Sequence, residues 1–334
     1  MPNIIVIGAS AGGVGPLREI VRALPADLPA AIFIVMHLSP HAPSLLPQIL
    51  STSDSIRVDA AVDCERIQPS RVYVARPDLH MLIEPGRVHL THGPKENRHR
   101  PAIDPLFRTA ARAYGSRVLG IVLTGLMDDG AVGLHVVKHE GGMAIVQDPN
   151  DAMFPSMPES AVRKVPVDFV LPASEIARKI IEVVREPWTD EYPAGETVVT
   201  QPGPASKDEN MPEEEDERLM GKPSAFTCPD CSGTLWEFDD GGMLRFRCRV
   251  GHAYSGDGVS AGYTESVEAA LWTAVRSLQE SASLEDKLAE QAFKRGDTNT
   301  GQNFREIARS RWEQSEIIRN MLLSKENSNK MVSS

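Results

Sequence analysis

The 334-residue sequence has no run of 18 or more apolar residues, which excludes an ordinary membrane-spanning helix. It also opens without a basic leader, so a cytoplasmic protein with no direct membrane insertion is expected. Cysteine is scarce: four occur, three of them in one short stretch. That spacing suits a metal site in a reduced compartment better than a disulfide framework. Cys64 stands apart and is expected to be a lone core thiol. Aromatic residues make up 5% against 25 prolines, in an otherwise ordinary globular composition. Basic excess is missing too. Residues 1–185 carry 19 Lys+Arg against 19 Asp+Glu, and the remainder carries 16 against 27. The net charge of -11 therefore lies in the C-terminal part, which disfavours nucleic acid and anionic membrane as partners.

What is present is a succession of short apolar runs and helix-like stretches over residues 1–185. Ile4–Ile7, Ala31–Met36, Val118–Leu123, Met143–Val146 and Phe169–Leu171 read as buried strands. Leu17–Leu24, Pro105–Ala113, Ala131–His139 and Glu175–Val184 read as helices. The alternation predicts an α/β fold on a parallel sheet. Arg71–Ala75, His80–Ile83 and Arg87–Leu90, separated by the turn pairs Pro77-Asp78 and Pro85-Gly86, predict a small antiparallel insertion. Residues 186–224 are rich in proline and acid, and read as a disordered linker. A compact unit at 225–256 and a helical hairpin with a disordered tail at 257–334 complete the expected organisation. On the first hairpin helix Leu271, Val275, Leu278 and Ala282 share a face; on the second, Phe304, Ala308, Arg311, Ser315, Ile318 and Leu322 do.

Gly8-Ala9-Ser10-Ala11-Gly12-Gly13 follows the first apolar run and satisfies the G-x-S-x-G pattern, in which small neighbours let a tight strand-to-helix turn expose a nucleophilic serine. A dinucleotide phosphate cradle and a plain packing turn compete with that reading. The cradle is disfavoured because Ser10 occupies its middle glycine position. His37 follows the second apolar run, and Asp129 follows Val118–Gly125. In an open parallel sheet the carboxyl ends of neighbouring strands line one crevice, so the three residues can converge.

Val6–Gly13, Val35-Met36-His37-Leu38, His99-Arg100-Pro101-Ala102-Ile103-Asp104 and Leu123-Thr124-Gly125-Leu126-Met127-Asp128-Asp129-Gly130 resemble, in order, the motifs of the CheB-type protein-glutamate methylesterase domain. Gln147-Asp148 followed by Met157-Pro158 resembles its last signature. The resemblance covers residues 1–185. It implies a doubly wound α/β fold that hydrolyses glutamate γ-methyl esters on chemoreceptors or related methylated signalling proteins and also deamidates glutamine, without a catalytic cofactor. It implies Ser10 as nucleophile, His37 as general base and acid, and Asp129 as the carboxylate that orients His37, with backbone amides near Ala11 or Leu126 facing the oxyanion. Asp128 competes with Asp129, which aligns with the aspartate before glycine. Ala11 stands where the family often has Thr, and Leu126-Met127 where Met-Gly is usual. Arg98 and Arg100 are candidate contacts for an acidic receptor helix. Members usually carry a receiver domain before the esterase; here the first strand starts at residue 3, so regulation by an attached receiver is not expected.

Cys228-Pro229-Asp230-Cys231, then Cys248 and His252, frame two strand-like runs around Asp239-Asp240-Gly241-Gly242. Knuckle, hairpin, knuckle is the order of a zinc ribbon. Three thiolates and an imidazole predict one closed, structural zinc site, with iron the minor alternative. All triad candidates precede the linker, so residues 1–185 are expected to act as an autonomous esterase and the C-terminal extension to serve in partner docking or regulation. Two other functions compete: a catalytically weak scaffold that recruits partners through the ribbon and hairpin, and a dinucleotide enzyme.

Overall fold

Strand β1 (Asn3–Ala9) is apolar on both faces, Ile4 and Val6 packing into one core and Ile5 and Ile7 into the other. A strand buried on both sides needs cover above and below, which is the condition of a parallel sheet between two helical layers. The computed structural model describes residues 3–37, 44–51, 56–185, 221–240 and 242–332. Helix α1 (Val14–Ala23), β2 (Ala30–Met36), α2 (Leu46–Leu50), β3 (Arg57–Ala60) and β4 (Arg71–Val74) follow β1. Then come β5 (His80–Glu84), β6 (Arg87–Thr91), α3 (Ile103–Tyr114), β7 (Val118–Val122) and α4 (Ala131–His139). Strand β8 (Met143–Gln147), α5 (Ser156–Lys164), β9 (Phe169–Leu171) and α6 (Ala173–Arg185) close this part.

Seven strands form one sheet in the order β3-β4-β2-β1-β7-β8-β9, all parallel. Leu17, Ile20 and Val21 of α1 and Ile176 and Ile180 of α6 cover one face; Leu106 and Phe107 of α3, Leu134 of α4 and Met157 of α5 cover the other. Each such fully buried side chain stabilises the fold by about 1.5–3 kcal/mol. From β1 the chain builds outward through β2, then returns to β1's other side as β7, so the sheet is doubly wound with its switch point between β1 and β7. That crevice at the strands' carboxyl ends is where such folds place ligands.

The small antiparallel insertion is the β5–β6 hairpin alone, turned at Gly86 with φ +79. Arg71–Val74, expected to belong to it, instead pairs with β2 and β3 in the parallel sheet. Val72, Tyr73 and Val74 are consecutively buried, a pattern that fits a two-sided interior and not a half-exposed hairpin. Cys64 is exposed, against expectation, because it sits at φ 59 in the bend after β3 with its thiol on Asp63.

Strands β10 (Lys222–Thr227), β11 (Thr234–Asp240), β12 (Met243–Cys248) and β13 (Ala253–Ser255) form an antiparallel sheet in chain order. They fall in one compact unit with the parallel sheet, Met1–Val259; Ser260–Ser334 is a second unit. Of the expected linker, residues 186–220 lie outside the described residues, and 222–224 open β10. Helices α7 (Gly256–Lys294) and α8 (Thr298–Val332) flank Gly296, whose φ of +80 suits the residue that ends a helix. They run antiparallel, with Glu285 facing Arg311 and Asp286 facing Arg305. Along α8 the expected stripe holds, with Ala308, Ser315 and Leu322 buried and Phe304, Arg311 and Ile318 half-buried. Arg311 is accommodated there by Ser281 and Glu285. Among the described residues no helix is long and apolar enough to cross a membrane.

Candidate active site

Ser10 begins where β1 stops. Its amide donates to the Thr124 carbonyl at 3.0 Å, and its own carbonyl accepts from Gly13 N–H at 3.0 Å, which folds the chain back at once. Gly12 takes the left-handed φ of +74 that this turn demands. Gly125, past β7, lies so close that a Cβ there would sit 2.8 Å from the Ser10 Cβ. The glycine after β7 therefore lets two strand ends meet at the switch point.

His37 leaves β2 with its amide on the Ala9 carbonyl, 3.2 Å away, and its ring turned towards Ser10. The Ser10 Oγ lies 3.1 Å from His37 Nδ1, and His37 Nε2 lies 2.8 Å from Asp129 Oδ2. An ionised carboxylate only accepts, so Nε2 carries the proton and the Nδ1 lone pair faces the serine hydroxyl. His99 stacks on His37 with ring centroids 3.6 Å apart and planes at 12°. Burial, then the neighbouring His37, pushes the His99 pKa down to about 4, which keeps that ring neutral.

Asp129 is 2% exposed and both its oxygens are filled. Oδ2 accepts from His37 and from Ile103 N–H at 2.7 Å; Oδ1 accepts from Asn97 Nδ2 at 3.0 Å and Asp104 N–H at 3.2 Å. Burial alone would raise its pKa, but these donors and the imidazole outweigh that and hold it below the usual carboxylate range. Asp104, buried beside it, shares the Asn97 amide group at 3.0 Å and accepts from Gly130 and Gly133 N–H. Burial, then the charge on Asp129, pushes its pKa upward. Asp128 faces elsewhere: its carboxylate pairs with Lys164 at 2.7 Å.

Sequence reading did not single out Asn97, His99 or Asp104, although the last two bound a quoted motif. All three lie on or beside the segment from Pro94 to Ala102. Asn97 and Arg98 both have left-handed backbones, φ 46 and 69, each costing about 1 kcal/mol or more for a residue with a Cβ. Surroundings hold them there. His80 reaches Pro94 O at 2.9 Å, and Arg100 grips Asp78 through Nε and Nη2 and donates to the His92 and Gly93 carbonyls. Arg100, considered as a receptor contact, is thus a strut of the segment. Glu96 is fixed between Arg108 at 2.7 Å and Arg245 of β12 at 2.9 Å.

Cys228, Cys231, Cys248 and His252 converge, with their donor atoms all within 4.8 Å of one another. Cys228 Sγ and Cys248 Sγ each lie 3.6 Å from His252 Nδ1, and the Cys231 and Cys248 sulfurs are 3.6 Å apart. A tetrahedral zinc with Zn–S near 2.3 Å and Zn–N near 2.0–2.1 Å separates its ligand atoms by about 3.6–3.8 Å. The donor set fits that ion. The buried Tyr254 hydroxyl donates to Asp230 at 2.7 Å and lies 3.1 Å from the Cys228 sulfur.

The model of the CheB methylesterase family matches residues 5–180. A Methanosarcina mazei protein named protein-glutamate methylesterase/protein-glutamine glutaminase 2 is 38% identical over 191 residues, covering 55% of this chain and 52% of its own. A Leptospira interrogans relative is 39% identical over 180 residues, covering 54% of this chain and 93% of its own. The crystal structure of the Thermotoga maritima CheB methylesterase catalytic domain is similar with a TM-score of 0.53 and 35% identity, over 55% of this chain and 99% of that one. The chain thus spans about half the length of the M. mazei relative.

Proposed function

Since the chain belongs to the CheB methylesterase family, we propose that it is a serine hydrolase that cleaves glutamate γ-methyl esters on chemoreceptors or related methylated signalling proteins. Deamidation of glutamine is a second outcome of the same chemistry. The observation that supports this most is the unbroken line from Ser10 Oγ through both His37 nitrogens to Asp129. Ser10 is the nucleophile. Its oxygen attacks the ester carbonyl as its proton passes to His37 Nδ1, and the imidazolium is stabilised by Asp129 at Nε2. His37 returns that proton to the departing methoxide, which leaves as methanol. Water then attacks the glutamyl-serine ester, gives its proton to Nδ1, and collapse returns the proton to Ser10 and frees the glutamate carboxylate. From a glutamine side chain the leaving group is ammonia. Every proton and nucleophile in this scheme comes from a side chain or from water.

The oxyanion needs amide donors that are not already used. Ser10, Gly125 and Met127 N–H donate to Thr124 O, Phe154 O and Ser156 Oγ. Ala11 and Leu126 N–H are the donors assigned to the oxyanion in this reading; losing one such donor typically costs on the order of a hundredfold in rate. The four-ligand Cys/His cluster is assigned one structural zinc, which leaves no ligand position for a reacting water. Methanol release from radiolabelled methylated receptor membranes tests the esterase reading. Wild-type protein is expected to release methanol and Ser10→Ala to release none; equal release by both would remove Ser10 from the mechanism.

A further inference from the structure

Asn97 sits between two buried carboxylates and one strand of the Cys/His sheet. Its Nδ2 donates to Asp129 Oδ1 and to Asp104 Oδ2, both at 3.0 Å. Its Oδ1 accepts from the Ser255 N–H of β13, also at 3.0 Å. An amide has one donating and one accepting end, so a donor fixed on Oδ1 fixes the Nδ2 group onto the acids. The backbone is tied to the same strand: Asn97 N–H donates to Ala253 O at 2.8 Å, and Ala253 N–H to Lys95 O at 3.2 Å. Arg245 of β12, fully buried, holds Glu96 from the same side. Gly251 and Gly258 allow this approach, since a Cβ at Gly251 would come within 2.6 Å of Pro94, and one at Gly258 within 3.2 Å of Asn97 Oδ1.

We propose that Asn97 is a positioning residue for Asp129 and that β13, through the Ser255 N–H, sets its orientation, so that the Cys/His sheet is a working part of the hydrolase. The proposal rests on the esterase reading above. Without β13 the buried Asn97 Oδ1 loses its donor, the two left-handed residues lose their ladder, and Asp129 loses a fixed partner for Oδ1. The segment also carries His99 against one face of the His37 ring, so it meets the imidazole there as well as through Asp129 at Nε2.

The full-length protein provides the test. Asn97→Ala, Asn97→Asp and Ser255→Pro should each lower kcat about ten- to a hundredfold with KM changed less than threefold, the scale of a small misplacement of reacting groups. Ser255→Ala, which keeps the N–H, should retain most of the rate. Adding Ser255→Pro to Asn97→Ala should cost nothing further, because both break one chain of contacts. Multiplying losses in the double variant, or a Ser255→Pro rate equal to wild type, would overturn the coupling. If Ser255→Pro does not fold, Gly258→Val, which presses on the Asn97 amide, takes its place with the same expectation. The low-field NMR resonance of the His37 imidazole proton facing Asp129 separates the two readings. It should weaken or shift in Asn97→Ala and Ser255→Pro even if no methanol is released by wild type; an unchanged resonance in both variants refutes the positioning role, whereas absent turnover with a changed resonance refutes only the esterase reading.

Discussion

Asp128 and Asp129 are chain neighbours with opposite surroundings, Asp128 on Lys164 and Asp129 on His37. Asp129→Asn is therefore expected to lower kcat by about three to four orders of magnitude by presenting the wrong partner to the imidazole. Asp128→Asn should stay within a few-fold of wild type and lose some thermal stability; steady-state kinetics of the two variants decides between them. His99 carries a pH dependence. Its folded pKa, near 4, lies below the unfolded value near 6.5, so the unfolded chain binds a proton first as pH falls. The stability it contributes is fully present above pH 6.5 and is lost between 6.5 and 4. At pH 5 the protein should be less stable than at pH 7 by about 1–2 kcal/mol on this account. Urea melts of wild type and His99→Phe at both pH values check it, since the variant should lose that part of the difference. The placement of Ser10, His37 and an aspartate at 128 or 129 past buried strands was legible in the sequence, and the family motif favoured Asp129 over Asp128. Asn97 was not, because what makes it informative is a donor 158 residues further along the chain.

Strands with apolar runs were legible as elements, but their partners were not. Arg71–Val74 reads equally well as part of a hairpin until its neighbours are known, and β3, with one buried valine among Arg57, Asp59 and Ala60, carries little pattern at all. The α8 stripe is the converse case: its periodicity predicts the inward face, including Arg311, and the structure supplies the partner that makes an inward arginine tolerable. Arg311→Leu alone should lower the melting temperature of the hairpin, since it leaves the Glu285 carboxylate, 13% exposed, without its cation; the cost is about 1–3 kcal/mol. Arg311→Leu combined with Glu285→Leu should recover most of that loss or exceed wild type, because an apolar pair replaces an ion pair. Thermal melts followed by far-ultraviolet circular dichroism measure both, and a double variant no better than the single would show that the loss does not come from the stranded Glu285 carboxylate.

The proline-rich, acidic stretch after residue 185 invites a picture of independent halves, with the esterase complete before it. The contacts of Glu96 and Asn97 with Arg245, Ala253 and Ser255 join residues 3–185 to the Cys/His sheet within one compact unit, and under the proposal above the two work together. No periodicity or local motif marks such a surface, so it was invisible in the sequence. Metal removal should therefore be felt far from the cysteines. About one zinc per chain is expected by elemental analysis, bound less tightly at acid pH as the thiolates protonate, and lost in the Cys228→Ser, Cys231→Ser double variant. That variant should melt earlier and alter the low-field His37 resonance; a metal content equal to wild type would discard the zinc assignment. The arrangement around Glu96 also constrains how the sequence can drift. The carboxylate of Glu96 serves both Arg108 and Arg245 and cannot be lost cheaply, because both guanidinium groups would stay buried without it. Descendants of this chain should thus keep an acid at 96 while they keep arginines at 108 and 245, and a lineage that sheds the Cys/His sheet should still hold position 96 to the needs of Arg108 alone.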